Sequence, residues 1–457
     1  QKCGSRLDVS PYLGGAIEAR VKIESMSYKK QPLCELTQGG LSGIVNVGRI
    51  QRLWVDDPAY GIPFLSSTDI LKADLSDIRY ISKNVVSKNP SLTIRKNWTL
   101  ITRSGTVGRM AYARPDMDGM ACTEDVMRVI PDKALIPSGY LYAFLASKFG
   151  VPMITSATYG AIIQHIEPEH IANLPIPRLG AKLENEIHSL VQESARCFDA
   201  TPRLFAQATA MVFGTLGLHD SDDLSWLEDS RHLGWNQQKI SSESLRAMNY
   251  DPRAVTFFET ITTGRYSPLG SLCNPRFFKG KVIFKRVDCD PGCGIMLLGQ
   301  RTAFQINPDG RWISHKSIEG LGLEVPPFST LIPSHGTLGE QELYCRALFV
   351  TEKMSHYAFS GDFFRCFPLS DKIQPGYLFA FLRSKTAFRM LRSISIGGKQ
   401  QEQHPMMMWR LPIPRLSPKA EESIHQLVIE AGASYDRGLS AQLQAIALVE
   451  RAIEEAV

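Results

Sequence analysis

The sequence predicts an α+β chain: two duplicated mixed α/β domains, separated and followed by long helices that pair antiparallel. Three observations predict it. One stretch of sequence recurs 237 positions later, apolar residues beyond each copy repeat at helical spacing, and charge divides between the two kinds of segment.

The repeat sets the architecture. Leu174 to Leu179 reads LPIPRL, and so does Leu411 to Leu416. At the same offset Gly139-Tyr140-Leu141 meets Gly376-Tyr377-Leu378, and Ile187-His188 meets Ile424-His425. Upstream, with small shifts, Gly105-Thr106-x-Gly108 matches Gly336-Thr337-x-Gly339, and Arg79-x-Ile81-Ser82 matches Arg311-x-Ile313-Ser314. Asp57-Pro58-x-x-Gly61-Ile62 likewise matches Asp290-Pro291-x-x-Gly294-Ile295, and Asp125 and Arg128 match Asp362 and Arg365. That many ordered matches make the chain a duplication, with roughly 210 residues per copy. The boundaries read as a domain over 1–179, a helical spacer with an insert over 180–245, a second domain over 246–416 and a second spacer over 417–457.

The elements follow in order along each copy. Short apolar runs broken by Gly, Pro, Asn and Asp, such as IPFLSSTDI and WTLITRSG, read as strands of a twisted or barrel-like sheet. GYLYAFLASK and GYLFAFLRSK read as helices opened after a turn. LPIPRL, with two prolines, is extended and cannot lie inside a helix. After it Ile424, Leu427, Ala431, Tyr435, Leu439, Leu443, Ile446, Val449 and Ile453 form one apolar stripe. Ile187, Leu190, Val191, Ser194 and Phe198 begin the same pattern in the first copy, where Pro202 predicts a kink or break. Equivalent stripes on equivalent helices suit each other, which favours pairing over simple core packing.

Charge separates domains from spacers. Residues 180–230 hold three Lys/Arg against nine Asp/Glu, and residues 417–457 hold three against seven. The whole chain is +5, so the remainder carries +15. Basic domains suit a polyanion, because Lys and Arg contacts to phosphate release counterions. The nine cysteines are scattered singly and read as reduced, structural thiols with no metal site. No apolar run approaches the ~20 residues of a membrane span and no secretory signal is visible, which makes the cytoplasm the expected location.

Groove reading requires polar side chains on loops held by a rigid scaffold. The loop Arg103, Ser104, Gly105, Thr106, Val107, Gly108, Arg109 and its counterpart Ser334, His335, Gly336, Thr337 share glycines and differ in side chains. That is the pattern expected of two readers of different sequences, although an ordinary hairpin turn gives the same glycines. A second pair of loops carries Tyr159, Gly160, Gln164 and His165 in one copy and Lys399, Gln400 and Gln401 in the other. Gln suits adenine, and Lys suits guanine or phosphate. Arg79, Lys83, Arg311, His315 and Lys316 are further candidates, with a solvated face as the alternative reading.

Catalytic signals are missing. Asp57-Pro58-Ala59-Tyr60 is similar to the DPPY motif of adenine methyltransferases but lacks its second proline, and the repeat reads Asp290-Pro291-Gly292-Cys293. No glycine-rich cofactor turn, P-loop or HExxH accompanies it, so no cofactor is expected.

The chain resembles the DNA-specificity subunit of type I restriction-modification systems. The likeness rests on two domains, each closing with a T-x-G-x-x-x-Q-x-I-like segment, here Thr158 to Ile166, and an L-P-I-P connector before a long helix. The openings SRLDVSPYL and MNYDPRAV add to it. The resemblance implies that each domain reads one half of a split target in double-stranded DNA and that the helices set the spacing. It also implies that the helices hold two methyltransferase subunits, that motor-nuclease subunits can join, and that the chain itself is not catalytic. A helix of about 30 residues spans ~45 Å, comparable with the ~34–36 Å between successive major-groove faces. The second copy departs from the pattern at Gln403, where an apolar residue is expected, and its contact loop is expected to be built differently. Residues 213–250, with Asp220, Asp222, Asp223 and Trp226, extend the first spacer as a linker or a docking surface.

Overall fold

The computed structural model describes residues 15–157, 165–220, 244–276, 278 and 282–456. Two compact units emerge: residues 1–199 with 437–457, and residues 200–436. The long helices Ala181–Leu216 and Pro418–Glu455 each give one half to each unit.

In the first unit one antiparallel sheet runs in the order Ile44–Val45, Val126–Val129, Thr99–Thr102, Met110–Tyr112. A second, mixed sheet runs Trp54–Val55, Tyr80–Ser82, Gly61–Leu65, Ala121–Cys122. In the second unit Leu348–Phe349, Thr330–Pro333 and Phe363–Cys366 form an antiparallel sheet, and Arg311–Ile313, Ile295–Leu298 and Ala358–Phe359 form a mixed one. The ladders recur in register: Leu100 faces Arg128 as Leu331 faces Arg365. The LPIPRL segments are edge-paired strands. Pro175–Pro177 pairs with Lys30–Pro32, and Pro412–Pro414 with Tyr266–Pro268, so the prolines sit where no ladder donor is required.

The repeated GYL motif explains how each domain meets its helix. Ser138–Leu145 and Pro375–Leu382 are apolar all round and almost wholly buried. A Cβ on Gly139 would stand 2.9 Å from the His188 Cα, and one on Gly376 2.8 Å from the His425 Nδ1. Only glycine allows this approach. It lets the backbone N–H of Gly139 donate to His188 Nδ1 at 3.0 Å, and that of Gly376 donate to His425 Nδ1 at 3.0 Å. Burial pushes both imidazoles below their usual range, which keeps them neutral acceptors.

In each unit the two long helices lie antiparallel. Ile187, Val191 and Ala195 share a core with Ala445, Val449 and Ile453, and the Gly438 backbone lies against Cys197 and Phe198. In the second unit Ala208, Val212 and Phe213 share a core with Ile424 and Val428, and the Thr201 hydroxyl donates to the Ala431 carbonyl at 3.4 Å.

Three expectations require correction. Ala181–Leu216 is one helix that passes through Pro202, so the proline does not break it. Leu443 does not lie in the buried stripe. It is 52% exposed, because the inward positions there are Ala441, Gln442 and Ala445, and Gln442 Nε2 donates to the Tyr142 hydroxyl at 2.6 Å. Asp220 is not free for docking. Its carboxylate accepts from Lys385 N at 3.0 Å and Thr386 N at 2.8 Å, at the start of Lys385–Ser393. Asp222, Asp223 and Trp226 lie outside the described residues.

Candidate nucleic-acid interface

The first unit holds its glycine loop between the strands Thr99–Thr102 and Met110–Tyr112. Gly105 and Gly108 take φ of +74° and +88°, and a Cβ on Gly108 would come within 2.6 Å of the Thr155 Cγ2. The loop is fastened to His165, at the end of the second candidate loop, and to the two residues after it. Ser104 and His165 pair as an isolated bridge, with the Ser104 Oγ 2.7 Å from the His165 Nδ1. Arg103 Nε donates to the Ile166 carbonyl at 3.1 Å and its guanidinium pairs with Glu167, which also accepts from Asn46 Nδ2 at 2.6 Å. The two sequence candidates therefore converge. Arg103 is a clamp, however, with its side chain 13% exposed. Gly105 and Thr106 are exposed at the loop tip, and Arg109 is half-buried. Tyr159, Gly160 and Gln164 lie outside the described residues.

The second unit repeats this frame. His335–Gly336 pairs with Gln401–Gln403, which pairs with Ser395–Gly397, and the register sets His335 opposite Glu402 as Ser104 stands opposite His165. Lys399 and Gln400 are exposed at the hairpin tip, and Thr337 is exposed in the neighbouring loop. Gln401 is turned inward: its Oε1 accepts from Arg246 Nη1 at 2.6 Å and its amide donates to the Gly398 carbonyl. Ser334 is buried too, donating to the Asp362 carbonyl at 2.7 Å. His335 Nε2 stands 3.0 Å from the Glu402 carboxylate, an ion pair only when the imidazole is protonated, in a geometry that makes no hydrogen bond. Gln403 occupies the position of the buried Ile166 and donates to the Pro333 carbonyl at 3.1 Å, so an amide replaces a packing residue.

Two fasteners escaped sequence reading. Arg246 Nη1 also donates to the Ser395 carbonyl at 3.2 Å, and Asn249 Nδ2 to that carbonyl at 3.1 Å. The signal was Asn249's place in the MNYDPRAV opening, with Arg246 two residues before it. Arg128 and Arg365, matched in the repeat, are fully buried and face backbone carbonyls. Arg128 donates to Val126 O at 2.5 Å and Cys122 O at 2.7 Å, and Arg365 to Phe363 O at 2.6 Å and Ser360 O at 2.7 Å. Burial pushes Arg365 down to about 10 despite the nearby Asp362, so it stays cationic at neutral pH.

The remaining candidates gather at the mixed sheets. Arg79 is exposed and lies 4.0 Å from the Trp54 ring centre, and Lys83 Nζ donates to the Ala59 carbonyl at 2.7 Å. Arg311 pairs with Asp288 at 2.5 Å, His315 Nδ1 stands 3.2 Å from Glu324, and Lys316 is exposed. Among the described residues no group of His, Cys, Asp or Glu is placed to hold a metal, and no helix is long and apolar enough to cross a membrane.

Comparison with known proteins adds a relative. Over 197 residues the chain is 24% identical to the type I restriction enzyme EcoBI specificity subunit of Escherichia coli, a match spanning 42% of this chain and 41% of that protein. The chain is thus similar to a type I specificity subunit over about two fifths of that relative's length. No family model matches. Among solved structures, a type I restriction-modification S subunit from M. genitalium aligns over 94% of this chain and 96% of its own, at 10% identity and a TM-score of 0.38. The HsdS subunit from Thermoanaerobacter tengcongensis aligns over 94% and 97%, at 12% identity and a TM-score of 0.27.

Proposed function

We propose that this chain is the sequence-reading subunit of a type I restriction-modification or related anti-phage complex in the cytoplasm. It binds double-stranded DNA through two target-recognition domains, 1–179 and 246–416, and contributes no catalytic group and no cofactor. The spacers 180–245 and 417–457 space the domains and carry methyltransferase subunits, two by the symmetry of the repeat; motor-nuclease subunits join them.

One observation carries the reading. Both units bridge the residue before the first loop glycine to a distant partner in the same register, and change the side chains: Ser104 opposite His165, His335 opposite Glu402. A common backbone frame with different side chains is what two readers of unlike half-sites require. The exposed tip residues Thr106, Thr337, Lys399 and Gln400 are the proposed base and phosphate contacts. The excess of +15 outside residues 180–230 and 417–457 supplies the attraction to phosphate.

The test is co-purification of the full chain with proteins encoded beside it, followed by duplex binding over a salt series. A methyltransferase partner with salt-dependent duplex binding supports the function. A partner with no duplex binding leaves a scaffold, and neither result reopens an enzymatic reading.

A further inference from the structure

Each unit exposes a second basic element that sequence comparison did not select. In the first unit it is the segment 48–53, and in the second 282–287; each ends at the edge of the mixed sheet. Their equivalence is set by hydrogen bonds: Ser82 N donates to the Leu53 carbonyl at 2.8 Å, and Ser314 N to the Val287 carbonyl at 2.9 Å. With that register Ile50 and Phe284 occupy the same position, and both pack inward against their unit's core. Arg52 falls on Arg286 and Leu53 on Val287. The next position holds Trp54 in one unit and Asp288 in the other, which are the partners of the equivalent Arg79 and Arg311.

Two properties of these segments are shared. Large apolar side chains point into solvent at the same place, Leu53 at 58% and Val287 at 46% exposure, with Ile283 at 83%. Exposed cations flank them: Arg49 and Arg52 in one, Lys285 and Arg286 in the other. A single exposed leucine requires no explanation, but matched apolar tips that each follow an arginine at one position of two units do. Arg52 is committed to Glu124 at 2.9 Å, which leaves Arg49 as the outward cation of the first segment.

We propose that these sheet-edge segments are a second duplex contact in each unit. Arg49 and the Lys285–Arg286 pair meet backbone phosphates, and Leu53 and Val287 pack against the sugar edge of a groove. The occupant is double-stranded DNA because cations beside an apolar tip match a phosphate rail beside an apolar sugar wall. The inference rests on the DNA-reading function proposed above and adds residues to it. Cations on an exposed edge also discourage strand pairing between molecules, a role that predicts effects on solubility and none on DNA.

The test uses the full chain and a duplex pool of random sequence, because phosphate contacts are independent of sequence. Arg49→Ala and Arg286→Ala should each lower the slope of log affinity against log salt by about one. Leu53→Ser should weaken binding roughly tenfold with the slope unchanged. Circular dichroism checks that each variant is folded. Folded variants with unaltered affinity and slope, while the parent chain binds duplex, overturn this inference and leave the DNA-reading function standing. Loss of solubility with unchanged binding also overturns it. A parent chain that binds no duplex overturns the function itself.

Discussion

Gly376→Ala tests how the domains are joined to their helices. The added Cβ would stand 2.8 Å from His425 Nδ1 and from the His425 carbonyl, and 2.9 Å from the Val428 Cβ. Two of these three contacts involve parts of the long helix that cannot swing aside, so Pro375–Leu382 must retreat. Overpacking of this kind costs about 1–3 kcal/mol. Retreat also stretches the bond from Gly376 N to His425 Nδ1, worth roughly 1 kcal/mol. Against this, replacing glycine by alanine inside a helix returns about 1 kcal/mol at most. The net expectation is a loss of roughly 1–3 kcal/mol from the second unit, by the same principles. Hydrogen exchange by mass spectrometry reads it locally: peptides around 375–382 should lose protection. Gly139→Ala should act the same way on 138–145 in the first unit, where the equivalent contacts are 2.9 Å. Unchanged or increased protection in both variants would refute the close-approach argument.

The two buried histidines predict a pH dependence. Their folded values lie below the ordinary one near 6.5, so the unfolded chain binds protons more readily. The stability they contribute is present above about 6.5 and is lost as pH falls through that value towards the lower folded ones. Denaturation midpoints should therefore fall from pH 7.5 to pH 5.5, and less so in a His188→Gln, His425→Gln variant; an equal fall in the variant contradicts the assignment. Arg365→Ala should destabilise the second unit by about 3 kcal/mol or more, because the carbonyls of Phe359, Ser360 and Phe363 lose a buried donor; limited proteolysis checks it, and wild-type resistance contradicts it. Glu167→Gln weakens the pair with Arg103 and should reduce affinity for one half-site while sparing the other, as read by binding to duplexes altered in either half.

Some of this structure was legible in the sequence for clear physical reasons. Two prolines in LPIPRL exclude helix and mark an extended edge, and both copies are edge-paired strands. The glycines of the 103–109 loop announce a backbone turn, and Gly105 and Gly108 adopt positive φ. Residue type misled where burial decides. Arg103, Ser334 and Gln401 carry groups suited to DNA, yet each is used to hold its loop, because the groups that claim them, the Glu167 carboxylate, the Asp362 carbonyl and the Arg246 guanidinium, are distant in sequence. Leu443 falls off the stripe because the inward position after Leu439 comes three residues on, at Gln442, whose amide finds a buried hydroxyl. The sheet-edge segments were invisible because Leu53 and Val287 read as ordinary strand residues until their exposure is known.

The central claim is that each unit reads its own half of one split target. It is tested most directly by selecting duplexes from a random library at physiological salt, with the parent chain and with a Lys399→Ala, Gln400→Ala variant. The account predicts a gapped, two-part motif for the parent chain, and a variant that keeps one part and relaxes the other. A single continuous motif, or loss of both parts together in the variant, would contradict it.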